Sequence, residues 1–232
     1  MKINYILYSL LIALAGIEPS FAQSVMLEQH VDQDTVSRSF GRNRKHFAGT
    51  FMGFGTILGD TEGDSSVSMR QGRSSFFQYG GYYKLKLSKT FSLVGSGSYR
   101  YTKFDLGVTG DQVYNRLVTH EALAECALRT NYGRRGDFIG NYLEIGVSGD
   151  YAFIDKNKVK TKPDDPDLTY QTRKLVFSNL SYIEKLNYSA HVRLGFNKWV
   201  LTADYRLSDI INDNNTYNLP PMAVGVRFDV GA

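Results

Sequence analysis

The sequence predicts an all-β chain: an eight-stranded antiparallel up-and-down transmembrane β-barrel with an N-terminal signal peptide. Three observations carry that prediction. A short apolar leader opens the chain, hydrophobicity alternates with period two from residue 46 onwards, and the connections between alternating segments switch regularly between long and short. Composition agrees. The 232 residues include 16 Tyr, 14 Phe and 22 Gly against 5 Pro and one Trp, a bias towards residues that fit a pleated surface. Hydrophobic residues make up 42%, enough for an ordered chain. A single Cys excludes a disulfide scaffold, a Cys-rich zinc site and a Cys-ligated iron–sulfur cluster. The net charge of +4 is scattered without a Lys/Arg block, so nucleic acid is not an expected partner.

Residues 1–22 read as a secretory signal. Lys2 supplies the positive start, and the apolar run Ile6–Ile17 is too short for a membrane-spanning helix, which needs roughly 20 residues. Ser20 and Ala22 place small residues at −3 and −1 before Gln23. No Cys follows the leader, so a lipid anchor is disfavoured. Residues 23–45 are polar, lack a clear period and read as an N-terminal extension. The barrel is expected over 46–232.

Eight strands are expected, at 46–58, 75–88, 91–104, 116–131, 138–154, 186–196, 198–208 and 222–231. In most of them one parity is apolar and the other polar. On the third, Phe91, Leu93, Tyr99 and Tyr101 alternate with Ser92, Ser96, Ser98 and Arg100. On the fifth, Leu143, Ile145, Val147, Tyr151 and Phe153 oppose Tyr142, Glu144, Ser148 and Asp150. The first strand carries Gly at alternate places, which leaves its facing open. The connections run 59–74, 89–90, 105–115, 132–137, 155–185, 197 and 209–221. Long outer loops and tight periplasmic turns on a meander would produce this alternation. Residues 173–185 are β-prone and are expected to extend the wall above the membrane.

Two rings of aromatics on the apolar parity indicate which face is oily. Phe77, Tyr79, Tyr99, Tyr101, Tyr151, Phe153, Tyr188 and Tyr205 fall at the loop end. Phe91, Phe196, Trp199 and Phe228 fall at the turn end. Such girdles are expected at two membrane–water interfaces. The opposite parity carries Lys84, Lys86, Arg100, Glu121, Glu125, Arg129, Glu144, Asp150, His191, Arg193, Asp204, Arg206, Arg227 and Asp229, a set near charge balance. Burying it in a soluble apolar core would be prohibitive. Within a narrow barrel it forms a paired plug. Hairpin geometry places His191 opposite Asp204 and Asp204 opposite Arg227. It also brings Glu125 near Glu144, which then need a shared cation, Arg100 or Arg193, or a shared proton.

The last stretch resembles a known family. Trp199–Ile211, a polar loop, Leu219-Pro220-Pro221 and Met222–Val230 are similar to the C-terminal hairpin of small outer-membrane β-barrel proteins of Bacteroidota, the porin-like or PorT-like group. The matching residues are Tyr205, Leu207 and Ser208, then Pro221, Val224, Gly225, Val226 and Phe228. The chain ends in Val230-Gly231-Ala232 and not in the terminal Phe of proteobacterial barrels. The resemblance implies fold and outer-membrane location, and no catalytic residue.

No residue pattern calls for catalysis, a cofactor or a metal. A barrel deacylase would need His and Ser two apart on a lipid-facing strand, and none of His30, His46, His120 or His191 begins a His-x-Ser. Asp60–Asp64 lacks the full calcium-loop spacing and reads as a solvated tip, as does Lys162–Asp167. Cys126 reads as a small lipid-facing residue. The expectation is therefore a non-enzymatic multi-pass outer-membrane protein, exported by the Sec route, with a structural or surface-interaction role. Its expected partners are outer-membrane lipid, lipopolysaccharide and a protein at the outer loops. The alternatives are a small porin or secretion-machinery component, a lipid-modifying barrel enzyme, and a soluble lipocalin-like barrel whose apolar parity would face inward.

Overall fold

The computed structural model describes residues 45–63, 68–108, 112–132, 140–162, 173–212 and 217–231. The expected leader, nearly all of the expected extension and the Pro163–Asp167 tip lie outside these residues. In chain order the strands are β1 (His46–Leu58), β2 (Glu62–Gly63), β3 (Ser75–Lys86), β4 (Phe91–Leu106), β5 (Gln112–Tyr132), β6 (Asn141–Thr161), β7 (Arg173–Ser178), β8 (Leu186–Phe196), β9 (Trp199–Arg206), β10 (Tyr217–Asn218) and β11 (Met222–Gly231). Eight of them close a ring, β1-β3-β4-β5-β6-β8-β9-β11 and back to β1. Every pairing in the ring is antiparallel, and closure runs from Gly49 opposite Gly231 to Leu58 opposite Met222. A closed ladder leaves no edge in the wall.

The period-two pattern becomes an in/out alternation with the apolar residues outside. Glu144 is 0% exposed while the next residue, Ile145, is 57% exposed. Val200 is 0% exposed between Trp199 at 56% and Leu201 at 51%. Such one-residue steps repeat around the ring, so the soluble reading with the apolar parity inward is corrected. The facing of β1 is also settled. Gly49, Phe51, Gly53 and Ile57 turn inward, whereas Met52 and Phe54 are exposed.

Four expected loops hold strand segments. The 59–74 and 209–221 connections carry β2 and β10, which pair with each other. The 105–115 connection shrinks because β4 continues to Leu106 and β5 begins at Gln112. The 155–185 connection holds the last seven residues of β6 together with β7, paired from Lys156 opposite Ser178 to Thr161 opposite Arg173. β7 has no neighbour on its far side among the described strands. β5 and β6 are 21 residues each, and a crossing needs only about 9–11. The wall therefore rises above the rest of the ring on the β4–β7 flank.

Inward side chains form three layers. At the loop end, Ile57, Met69, Phe104, Leu106, Leu117, Ile183, Ile210 and Leu219 pack into an apolar cap. Charged side chains fill the middle. Near the turn end, Phe51, Tyr82 and Val94 form one cluster and Tyr142 with Val200 another. Glycines make room for the rings of the lower layer. A Cβ on Gly195 would lie 2.1 Å from the Tyr142 ring, whereas one on the outward Gly97 would meet nothing within 4 Å. Gly195→Ala is expected to destabilise the barrel by about 1–3 kcal/mol through overpacking, and Gly97→Ala to stay within about 0.5 kcal/mol of wild type. Urea unfolding of the refolded protein in micelles, followed by tryptophan fluorescence, measures both.

Candidate functional site

The middle layer brings together side chains from most of the wall strands. Arg193 on β8 is its hub. Its Nη1 donates to Glu144 Oε1 at 2.9 Å and its Nη2 to Glu125 Oε1 at 2.8 Å. Arg129 holds the other oxygen of Glu144, with Nε at 2.8 Å and Nη2 at 2.7 Å. Glu125 also accepts from Ser96 Oγ and, at 3.3 Å, from Gln78 Nε2. Arg100 links this cluster to the next, donating to Gln78 Oε1 at 3.2 Å and to Asp204 Oδ2 at 2.8 Å. Glu121 accepts from Thr119 and Thr102. Towards the turn end, Arg227 donates to Asp229, which also accepts from Tyr142 Oη at 3.1 Å. Guanidinium groups lie on rings here, Arg129 at 3.7 Å from the Tyr142 centroid and Arg227 at 3.5 Å from that of Phe51. Each of these guanidiniums thus meets a ring face as well as its carboxylate, Glu144 for Arg129 and Asp229 for Arg227.

All twelve residues of the expected polar network face inward. Arg206 is half-buried and the other eleven are buried. Register confirms His191 opposite Asp204. It corrects the expected Asp204–Arg227 pair, since Asp204 lies opposite Ala223 and Arg227 opposite Val200. Glu125 lies opposite Ser148 and Glu144 opposite Arg129, yet the two carboxylates are near each other as expected. The two carboxylates are joined through Arg193, one of the two cations expected to do so. Cross-strand counting missed the Arg100–Asp204 bridge because it spans the lumen between β4 and β9, which are not neighbours.

Between Arg100, Glu121, Asp150, Asp204 and Arg206 lies a cavity of about 50 Å³, lined also by Ile57, Phe104 and Ile210. It has room for a few waters and no organic substrate. His191 is buried with neither ring nitrogen hydrogen-bonded, and the Glu144 carboxylate is 3.9 Å away. Among the described residues no Ser or Cys is hydrogen-bonded to it. His120 Nδ1 is 2.6 Å from Tyr99 Oη on the outer wall, beside Tyr101 and Phe153. Asp60 is engaged by its own loop: Met69 N–H and Thr61 N–H both donate to Oδ1 at 2.9 Å, Met69 being the stronger cause that holds the carboxyl below its usual range. Among the described residues no group of three or more His, Cys, Asp or Glu is arranged to hold a metal ion.

The aromatic positions all face outward. Phe77, Tyr79, Tyr99, Tyr151, Phe153, Tyr188, Tyr205, Phe91, Phe196 and Trp199 are exposed, and Tyr101 and Phe228 are half-exposed. Trp199 and Phe228 meet edge-on at 5.1 Å between centroids. Sequence reasoning missed the apolar cap. Its signal was present on β4, where the inward parity passes from Arg100 and Thr102 to Phe104 and Leu106. It also missed Asp105, buried and bound to Arg116 Nε at 2.9 Å.

No protein-family model and no curated protein matches the chain. Among solved structures it is similar to Ail, the attachment invasion locus protein of Yersinia pestis, solved in complex with the heparin analogue sucrose octasulfate. The identity is 10% and the TM-score 0.35, over 80% of this chain and 99% of that chain. The barrel assignment rests on this chain's own strand pairing.

Arg193→Met is expected to cost about 3–5 kcal/mol, since it leaves Glu125 and Glu144 short of a shared buried cation. Arg193→Met combined with Glu125→Gln should recover part of that loss. Guanidinium unfolding of the two variants in micelles gives the comparison.

Proposed function

We infer that the chain is an integral, multi-pass outer-membrane barrel with a plugged lumen and a non-enzymatic structural or surface-interaction role. One observation carries this reading: the outside of a closed ring is apolar while its inside is ionised. In water that arrangement would expose Phe54, Ile145, Val147, Trp199 and Leu201 around the whole wall, and such a belt marks a surface that meets lipid. A closed ladder also supplies every backbone partner that a bilayer withholds. Export by the Sec route is supported by the leader, and kinship with the PorT-like group by the C-terminal hairpin residues alone.

Several features favour surface interaction over transport or catalysis. An eight-stranded interior is just wide enough for side chains. Here it is filled by bridged charges and closed by the apolar cap. Among the described residues no histidine is hydrogen-bonded to a Ser or Cys. The raised β4–β7 flank offers contact surface to lipid, lipopolysaccharide or a protein at the outer loops.

Membrane fractionation tests the location: the protein should stay in the outer-membrane pellet through carbonate washing, and release into the soluble fraction would overturn the reading. In planar bilayers it should show no steady conductance on the order of a nanosiemens, because a filled eight-strand interior leaves no water path.

A further inference from the structure

The extension of β6 carries a feature that its sequence parity hides. Below the rim, odd-numbered residues of β6 face outward, as Ile145, Tyr151 and Phe153 do. Pairing with β5 then skips a residue: Glu121 lies opposite Ala152 and His120 opposite Ile154. This β-bulge leaves Phe153 and Ile154 both exposed, at 46% and 37%, and turns Asp155 inward at 2%. From there the even residues face outward, and they are Lys156, Lys158 and Lys160. An extra residue in one strand re-aims everything beyond it.

Register extends the stripe across the flank. Lys156 lies opposite Val118, which lies opposite Lys103. Lys158 lies opposite Arg116, and Lys160 opposite Lys174 on β7. Directly opposed residues share a face, so six cations from four strands stand together. Asp105 is the one carboxylate among these register partners, and Arg116 already holds it. None of the five lysines has a carboxylate partner among the described residues. On β4 this face continues the parity of Tyr99 and Tyr101, so Lys103 stands about 7 Å along the strand beyond the aromatic row. That is the depth of lipid headgroups, where an aromatic girdle ends.

We propose that the outward face of the β4–β7 extension binds the phosphate groups of outer-leaflet lipid headgroups, with Lys156, Lys158 and Lys160 as its centre. Position selects the lipid over a soluble anion, because the cations are continuous with the oily wall and set just above it. The proposal rests on the outer-membrane reading and names the lipid chemistry that this flank meets.

The test uses the full mature protein refolded in zwitterionic micelles and titrated with bis-phosphorylated lipid A, phosphatase-treated lipid A or inositol hexakisphosphate. Wild type should prefer the phosphorylated lipid. The K156T/K158T/K160T variant should bind it roughly tenfold or more weakly, in line with the contribution of each lysine at an anionic surface, while K198T at the turn end should not change. Equal binding of the two lipid A forms, or an unaltered triple variant, overturns the proposal. So does binding of the soluble polyphosphate as tight as that of the lipid, which would make the face a soluble-polyanion site. If the triple variant does not refold, the wild-type preference for the phosphorylated lipid and its loss in high salt decide the matter. Carbonate extraction of the wild type separates the two readings: release overturns the membrane location itself, whereas retention with unselective lipid binding overturns the headgroup face alone.

Discussion

An interior eight strands wide gives ionised side chains nowhere to go, so each must find a counter-charge or a hydrogen-bonding partner within the reach of one side chain, as Glu121 does in Thr102 and Thr119 and Arg206 in backbone carbonyls. That constraint organises the molecule. Arg193 answers it by using two nitrogens on two different carboxylates, and Arg129 by combining a hydrogen bond from Nε to Glu144 Oε2 with the face of Tyr142. Pairing of this kind does not make the barrel more stable than an apolar filling would, because desolvation offsets much of the attraction. Its effect is on specificity. A wall strand slipped by one residue would turn Glu144 or Arg227 to the apolar outer face and Ile145 or Val226 into the cluster, so the charges help to fix the register alongside the ladder.

Much of the wall was legible because a sheet with one oily face must alternate. All eight expected strands are strands over most of their length. The fifth runs well past its expected end, to Thr161, while residues 138–139 lie outside the described residues. Facing followed from the aromatic positions and from the cost of burying the charged parity. Cross-strand pairs were legible only where the turn between them is tight. His191 and Asp204 flank the two-residue Asn197–Lys198 turn, in which Asn197 takes φ 57°, and their pairing came out correctly. Asp204 and Arg227 are separated by a long loop, which does not specify register, and there the expectation failed.

Two other features were hidden for physical reasons. The bulge beside Phe153 leaves no mark in hydrophobicity, since two consecutive apolar residues also occur in an unbroken strand. The loop-end cap combines inward residues of β4 and β5 with segments that have no regular period, such as Ile183 and Ile210–Ile211. A pattern method sees the first kind and not the second. Of the long 155–185 connection, only the β-prone stretch 173–185 was expected to extend the wall, and it is a strand over Arg173–Ser178. The lysine-rich Lys156–Lys160 reads as loop, because such a run looks like a solvated tip until a partner strand is known.

The uneven height of the wall has a consequence for how the molecule sits among neighbours. β6 runs ten residues past the point where β8 leaves it at Tyr151, whereas β9 and β11 end close to the level of their partners. The barrel therefore has a front and a back. If the ring is set in a bilayer as proposed, a neighbour approaching the low flank would meet apolar wall alone, while one approaching the tall flank would also meet Lys156, Lys158 and Lys160, so the two sides of the barrel would offer different surfaces to lateral contact.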